Sequence, residues 1–176
     1  MLHGTPDDMD KMEGKIMKKT RIAVAAVVVT LLMVSAVWAA TSLNNANAIQ
    51  LYMYRSQVQS LVGYPDAVEY NANYRRNLEF YSTPDGLDVY QIFTGYLSNG
   101  QLGVYGNKYR PGRTSAQALA NQLQMKGLSL IQSNYNSWLF QGNDPRTGRI
   151  MYAIVEVQGT SPVVTLLTRE VYQGIM

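Results

Sequence analysis

The side chains that carry most enzyme chemistry are nearly missing from this chain. Its one histidine is His3, and it has no cysteine. That excludes a Ser-His-Asp triad, a cysteine nucleophile, a His-ligated zinc and a haem held by His or Cys from everything beyond residue 3. Carboxylates and hydroxyls remain. Asp85 with Asp88, or Asp144 with Glu156, are the pairs a glycosidase would need. Asp85 and Asp144 sit in Thr83-Pro84-Asp85-Gly86 and Asp144-Pro145-Arg146-Thr147-Gly148, where turn chemistry already favours Asp. A Ser-Lys dyad has only Lys108 and Lys126 to draw on in residues 49–176, with no S-x-x-K motif. The expectation is a protein without catalytic residues, metal ligands or cofactor.

Binding chemistry is better represented. YNANYRR (Tyr70–Arg76) and SNYNSW (Ser133–Trp138) each mix aromatic, amide and hydroxyl side chains, and the first adds two arginines. Aromatics give rigid contact area, Asn and Ser give adaptable hydrogen bonds, and Arg anchors acidic groups. Tyr70, Tyr74, Arg75, Arg76, Tyr135 and Trp138 are therefore the candidate binding residues. The competing reading of Tyr74 and Trp138 is core packing against helices. The partner these residues suit is another envelope or secreted protein. The alternative is an envelope glycan, such as peptidoglycan, stacked on Tyr and Trp or cleaved by a carboxylate pair. Beyond residue 21, ten Lys and Arg oppose eight Asp and Glu, too even a balance for a nucleic-acid footprint.

The elements that must position these segments repeat in order. Leu51, Tyr54, Val58, Leu61 and Val62 recur at helical spacing and predict a helix over 49–62, stopped by Gly63 and Pro65. Strand patterns follow at 77–81, 87–97 and 102–105, separated by Pro/Gly and Asn-Gly turns. A second helix is predicted over 115–126, capped by Thr114 or Ser115 and ended by Gly127. Strands follow at 128–132, 137–141, 150–157 and 163–171. The last two are apolar on both faces and should be central. The expected fold class is α+β, helices packed on an antiparallel sheet, as two tandem units over 49–110 and 111–176. LEFYSTPDGLDVYQIF aligns with WLFQGNDPRTGRIMYAIV across a two-residue gap. Duplication explains this, as does the general likeness of small α+β units.

Met53, Gln57, Val58, Leu61, Val62, Gly63 and Pro65 fit the pattern M-x-x-x-Q-V-x-x-L-[LV]-G-x-P. In these residues the chain resembles the SmpA/OmlA family of small outer-membrane assembly lipoproteins, over about fifty residues of the first half. The resemblance implies a helix packed on a small antiparallel sheet. The β-lactamase inhibitory proteins are similar in building two such units in tandem on one sheet. The chain departs from the family in having Tyr52-Met53-Tyr54 at the helix start and no lipid-bearing cysteine, so lipid anchoring is not implied.

The N-terminal region reads as an export leader. Lys18, Lys19 and Arg21 precede the uncharged run Ile22–Ala39, and small residues follow. Cleavage fits after Ala39 or after Ala48. The run's 18 residues span about 27 Å as a helix, so an uncleaved inner-membrane anchor over 17–48 is the other reading. Either way the remainder is expected to be exported, periplasmic or extracellular. Residues 1–16 are acidic and fit no signal. Met12-Glu13-Gly14 can be encoded with a bacterial ribosome-binding sequence, so we expect Met17 to be the start. N-terminal sequencing of the uncleaved precursor should begin at Met17; a peptide spanning Asp10 to Lys18 would contradict this.

Overall fold

The structure is a computed structural model, and it describes residues 46–176. The leader, the cleavage position after Ala39 and the proposed start at Met17 lie outside the described residues. No helix among the described residues is long and apolar enough to cross a membrane. From residue 46 the chain makes one eight-stranded antiparallel sheet with three short helices, a mixed α+β architecture dominated by the sheet.

The first helix, α1, runs only Arg55–Val62. The predicted start at residue 49 is too early. Tyr52 holds a positive φ of 66°, which no helix tolerates. The Tyr52 N–H donates to Leu102 O, and Leu102 N–H donates back to Met53 O. The preceding segment is thus tied to a strand instead of coiling. Leu51 is still buried, which is why it reads as part of a helical stripe. Gln57 Oε1 accepts the Tyr54 N–H at 2.8 Å and marks the true first turn. Gly63, at φ 82°, closes the helix through its N–H to Gln59 O, a left-handed position that suits glycine.

Four strands follow: β1 (Ala67–Asn71), β2 (Arg76–Ser82), β3 (Val89–Tyr96) and β4 (Leu102–Tyr109). Helix α2 (Ala116–Met125) is capped by Ser115, whose Oγ accepts the Ala118 N–H at 3.1 Å. Then come β5 (Ser129–Asn134), β6 (Ser137–Asn143), β7 (Ile150–Gln158) and β8 (Ser161–Thr168). The strand order is β1-β2-β3-β4-β8-β7-β6-β5. Each run of four is a meander, and the two are hydrogen-bonded into one sheet where β4 pairs with β8, from Val104↔Leu167 to Lys108↔Val163. β7 and β8 lie inside the sheet, as their two apolar faces require. Pro162 pairs only with Val157; it sits beyond the β4 pairing, where its missing N–H costs no ladder bond.

The last helix, α3 (Arg169–Ile175), stands where the sequence predicted more of β8. Thr168 Oγ1 accepts the Val171 N–H at 3.4 Å, and Glu170 lies in the first turn, where a carboxylate favours the helix dipole.

The core forms on both faces of the sheet. On one, Val58 of α1 clusters with Leu51, Tyr81, Ile92, Tyr105 and Met151, while Leu119 and Ala120 of α2 cluster with Phe140, Ala153 and Val155. On the other, Val171 of α3 clusters with Leu78, Phe93, Val104, Val163 and Leu167. Full burial of each such aliphatic or aromatic side chain contributes about 1.5–3 kcal/mol. The buried Glu79 is held by Arg55 Nε at 2.9 Å and by the Tyr81 hydroxyl at 2.8 Å. The Arg55 guanidinium also lies 4.8 Å from the Tyr96 ring centre. This network fixes the N-terminal turn of α1 to β2 and β3, since an unpaired carboxylate at this depth would be strongly destabilising.

Candidate functional site

Both aromatic-polar segments are hairpin tips, and each is shaped by an asparagine. In the first, Asn71 Oδ1 accepts the N–H groups of Asn73 and Tyr74 at 3.0 and 3.2 Å. Arg75 closes that loop with a left-handed φ of 53°, a conformation sparsely populated outside glycine and asparagine. In the second, Asn134 Oδ1 accepts the Asn136 N–H at 3.1 Å, and the two-residue turn Tyr135–Asn136 joins β5 to β6. Such Asx turns fix the loop backbone without help from a core.

The two tips belong to opposite edges of the sheet. Laid flat, eight strands would hold those edges roughly 34 Å apart. Yet Ala72, Asn73 and Arg75 of the first hairpin line the same groove as Gln132, Asn134 and Ser137 of the second. The sheet therefore curls around α3. The groove has a volume of about 440 Å³. Leu139, Ile154, Tyr172 and Ile175 supply its apolar surface. Tyr172 is held by stacking on Tyr152, with ring centres 3.8 Å apart. Arg75 donates from Nη1 to Gly174 O at 2.9 Å, capping the negative C-terminal end of α3. The groove thus offers an apolar floor, a rim of amides and a hydroxyl, and one guanidinium. That chemistry suits an extended polypeptide, whose backbone needs both donors and acceptors.

The six candidate residues fare differently. Arg75 lines the groove. Tyr135 is 94% exposed at the tip of the second hairpin, next to it. Tyr70 is a correction: it is 68% exposed but stands opposite Asn77, on the face of β2 that carries Glu79 and Tyr81, away from the groove. Tyr74 is a second correction: it is buried in the core, with its hydroxyl donating to Thr165 Oγ1 at 3.3 Å and its ring tilted against Phe93. Burial raises its pKa above the ordinary tyrosine value, with the Thr165 bond opposing. Trp138 is a third correction: it packs half-buried against the α2 cluster, on the opposite face from its neighbours Ser137 and Leu139, as strand alternation dictates. Arg76 spends its guanidinium on backbone, donating to Tyr74 O at 2.9 Å and Tyr96 O at 3.4 Å. Burial lowers its pKa below the usual arginine value. Asn73, Asn134 and Ser137 lay within the two segments but were not singled out. Tyr172 was missed with the helix that carries it.

The α1–α2 side of the sheet carries two more hollows, of about 370 and 420 Å³, which share Asn47, Tyr105, Asn107 and Tyr109. Burial pushes the Tyr105 phenol up to about 12, and its hydroxyl donates to Ala46 O. Each hollow holds one carboxylate residue, Asp88 in the first and Asp144 in the second. Asp144 is buried, and its Oδ1 accepts from Arg146 N, Thr147 N and Thr147 Oγ1. It lies opposite Arg149, seven residues along the strand from Glu156, or roughly 23 Å. A glycosidase pair stands at about 5–10 Å. Asp85 is exposed and bonded to Arg110 at 3.1 Å. Among the described residues, no three of Asp, Glu, His and Cys are grouped to hold a metal.

No protein family, curated protein or solved structure is matched by this chain.

The placements predict opposite responses at neighbouring tyrosines. Tyr74→Ala should lower unfolding stability by about 3–5 kcal/mol, the usual cost of truncating a buried aromatic. Tyr135→Ala should stay within about 0.5 kcal/mol of the parent. Urea denaturation compares them, and a Tyr74→Ala protein as stable as the parent would remove Tyr74 from the core.

Proposed function

We propose that this chain is an exported, non-catalytic protein-binding module of the bacterial cell envelope, and that it takes an extended segment of its partner into the curled groove. One observation carries this reading: hairpin tips from the two ends of the sheet border a single groove. Asn73 and Arg75 stand on one wall and Gln132, Asn134 and Ser137 on the other. Among the described residues, the polar side chains that line it are those of Asn73, Arg75, Gln132, Asn134, Ser137 and Tyr172, groups suited to recognition of a polypeptide backbone.

The proposal includes two tandem units, each a helix with four strands packed on one side by that helix. A shift of 59 residues carries Val104–Lys108 onto Val163–Leu167 and returns the β4–β8 pairing to itself about Gly106↔Thr165. A two-fold related duplication has this property, and it is the organisation implied by the resemblance noted above. Tyr135, exposed at the tip of the second hairpin, would add aromatic contact at one end. The leader either is removed or holds the module at the inner membrane.

The test uses photo-crosslinking side chains placed one at a time at Asn73, Asn134 and, as a control away from the groove, Tyr64, in the full chain expressed in a bacterial envelope. The expected result is the same adduct from positions 73 and 134, none from 64, and loss of the adduct in Arg75→Glu. Adducts with different partner proteins from 73 and 134, or insensitivity to Arg75→Glu, would refute the groove; an adduct of the chain with itself reports self-association and is scored apart. Retention on purified peptidoglycan in place of a protein adduct would establish the glycan reading instead.

A further inference from the structure

The two edges of the sheet are built differently. On β1, Pro65 and Asp66 precede the strand, and the exposed Glu69 is its central residue. Antiparallel pairing of two β1 strands about their centres would set Glu69 against Glu69, and like charges directly opposite are destabilising. On β5 all six residues are exposed, and no charged residue or histidine occurs from Gly127 to Asn143. Leu130 and Ile131 are 43% and 50% exposed on this strand, and Met125, Tyr135 and Val157 are exposed large apolar residues around it. An edge strand leaves alternate backbone N–H and C=O groups without ladder partners, and proteins ordinarily guard such edges with Lys, Pro or inward charges. None of these guards β5. Its one irregularity is the register shift between Leu130 and Gln132.

We propose that β5 is the self-association edge of this protein: two copies pair β5 with β5, antiparallel about a two-fold axis, and join their sheets into one of sixteen strands. The occupant is a second copy because such a contact is self-complementary and here opposes no charges at any register. The antiparallel arrangement also brings Tyr135, at the end of one β5, to the beginning of the other, where Met125 closes α2. Both apolar patches are then covered by one contact. The two-fold axis stands perpendicular to the sheet, so the grooves of the two copies open to the same side. Gln132 and Asn134 of β5 also line the groove, whereas the pairing uses the backbone groups of the strand's free edge, so it requires no occupant in the groove.

The chain has no cysteine, so an introduced thiol is unique. Single cysteines placed in turn at positions 130 to 134 of the full chain, with Val68→Cys as the β1 control, are oxidised and run without reductant. An antiparallel self-pairing gives efficient disulfide dimers at one central position, falling away on either side, since only there does a residue face its own copy. Sedimentation of the parent chain should show a dimer. Ile131→Lys and, as a second exposed site, Ser133→Lys should each weaken it about tenfold or more, with unchanged far-ultraviolet circular dichroism. A monomer at the highest concentration reached, a polydisperse aggregate, equal cross-linking at Val68→Cys, or a dimer indifferent to both lysines would overturn the proposal.

Discussion

The pairing of β4 with β8 is the constraint on which the rest of this structure depends. Five residue pairs make up the strand pairing between one four-stranded meander and the other, and the side-chain contacts across the seam gather around them. The pairing is dry on its alternate residues: Val104, Val163, Thr165 and Leu167 have essentially no exposure. Gly106 stands at its centre opposite Thr165. A Cβ there would land inside the Phe93 ring, so the ring of the neighbouring strand lies over bare backbone and closes the gap. Above Thr165 comes the Tyr74 hydroxyl, which brings the first hairpin down onto the seam. Each backbone bond contributes only about 1 kcal/mol net. The burial of these side chains, at about 1.5–3 kcal/mol each, therefore carries most of the joint.

From that joint the groove follows. One sheet, instead of two, can curl, and its curl brings tips from opposite edges to one surface. Helix α3 occupies the concave side through Val171, and its C-terminal carbonyl end is capped by Arg75. The left-handed Arg75 is thus tied to helix, loop and groove at once. The opposite face is organised by charge as well as packing. Arg55, Glu79 and Tyr81 lock α1 to β2, and burial, followed by the bond to Glu79, drives the Tyr81 phenol far above the ordinary tyrosine range. The two faces therefore differ: one carries α1 and α2, the other carries only the short α3 and leaves a polar rim around it.

Much of this was legible residue by residue. Gly63 with Pro65, and Gly127 after the α2 stripe, mark helix ends because few other residues accept those backbone positions. The doubly apolar runs at 150 and 163 announced central strands. Three features were hidden for physical reasons. Leu51 and Tyr52 are buried from an irregular segment, and burial looks the same in sequence whatever the backbone does. The edge strand β1 is largely exposed, so it has no alternation to reveal it. Helix α3 directly continues an apolar strand, and only Thr168 and Glu170 signal the change. The site was half legible: the two polar-aromatic segments do border the groove, yet sequence could not say that Tyr74 turns into the core or that Trp138 takes the other face.

The claim that one seam makes one sheet is tested most directly by native-state hydrogen exchange across the folded domain. The slowest amides should be those of residues 104–108 and 163–167, and β3 and β7 should open with them at the same free energy, as one cooperative unit. Exchange of β1–β4 at one opening free energy and β5–β8 at another, with the seam amides among the fast ones, would contradict it.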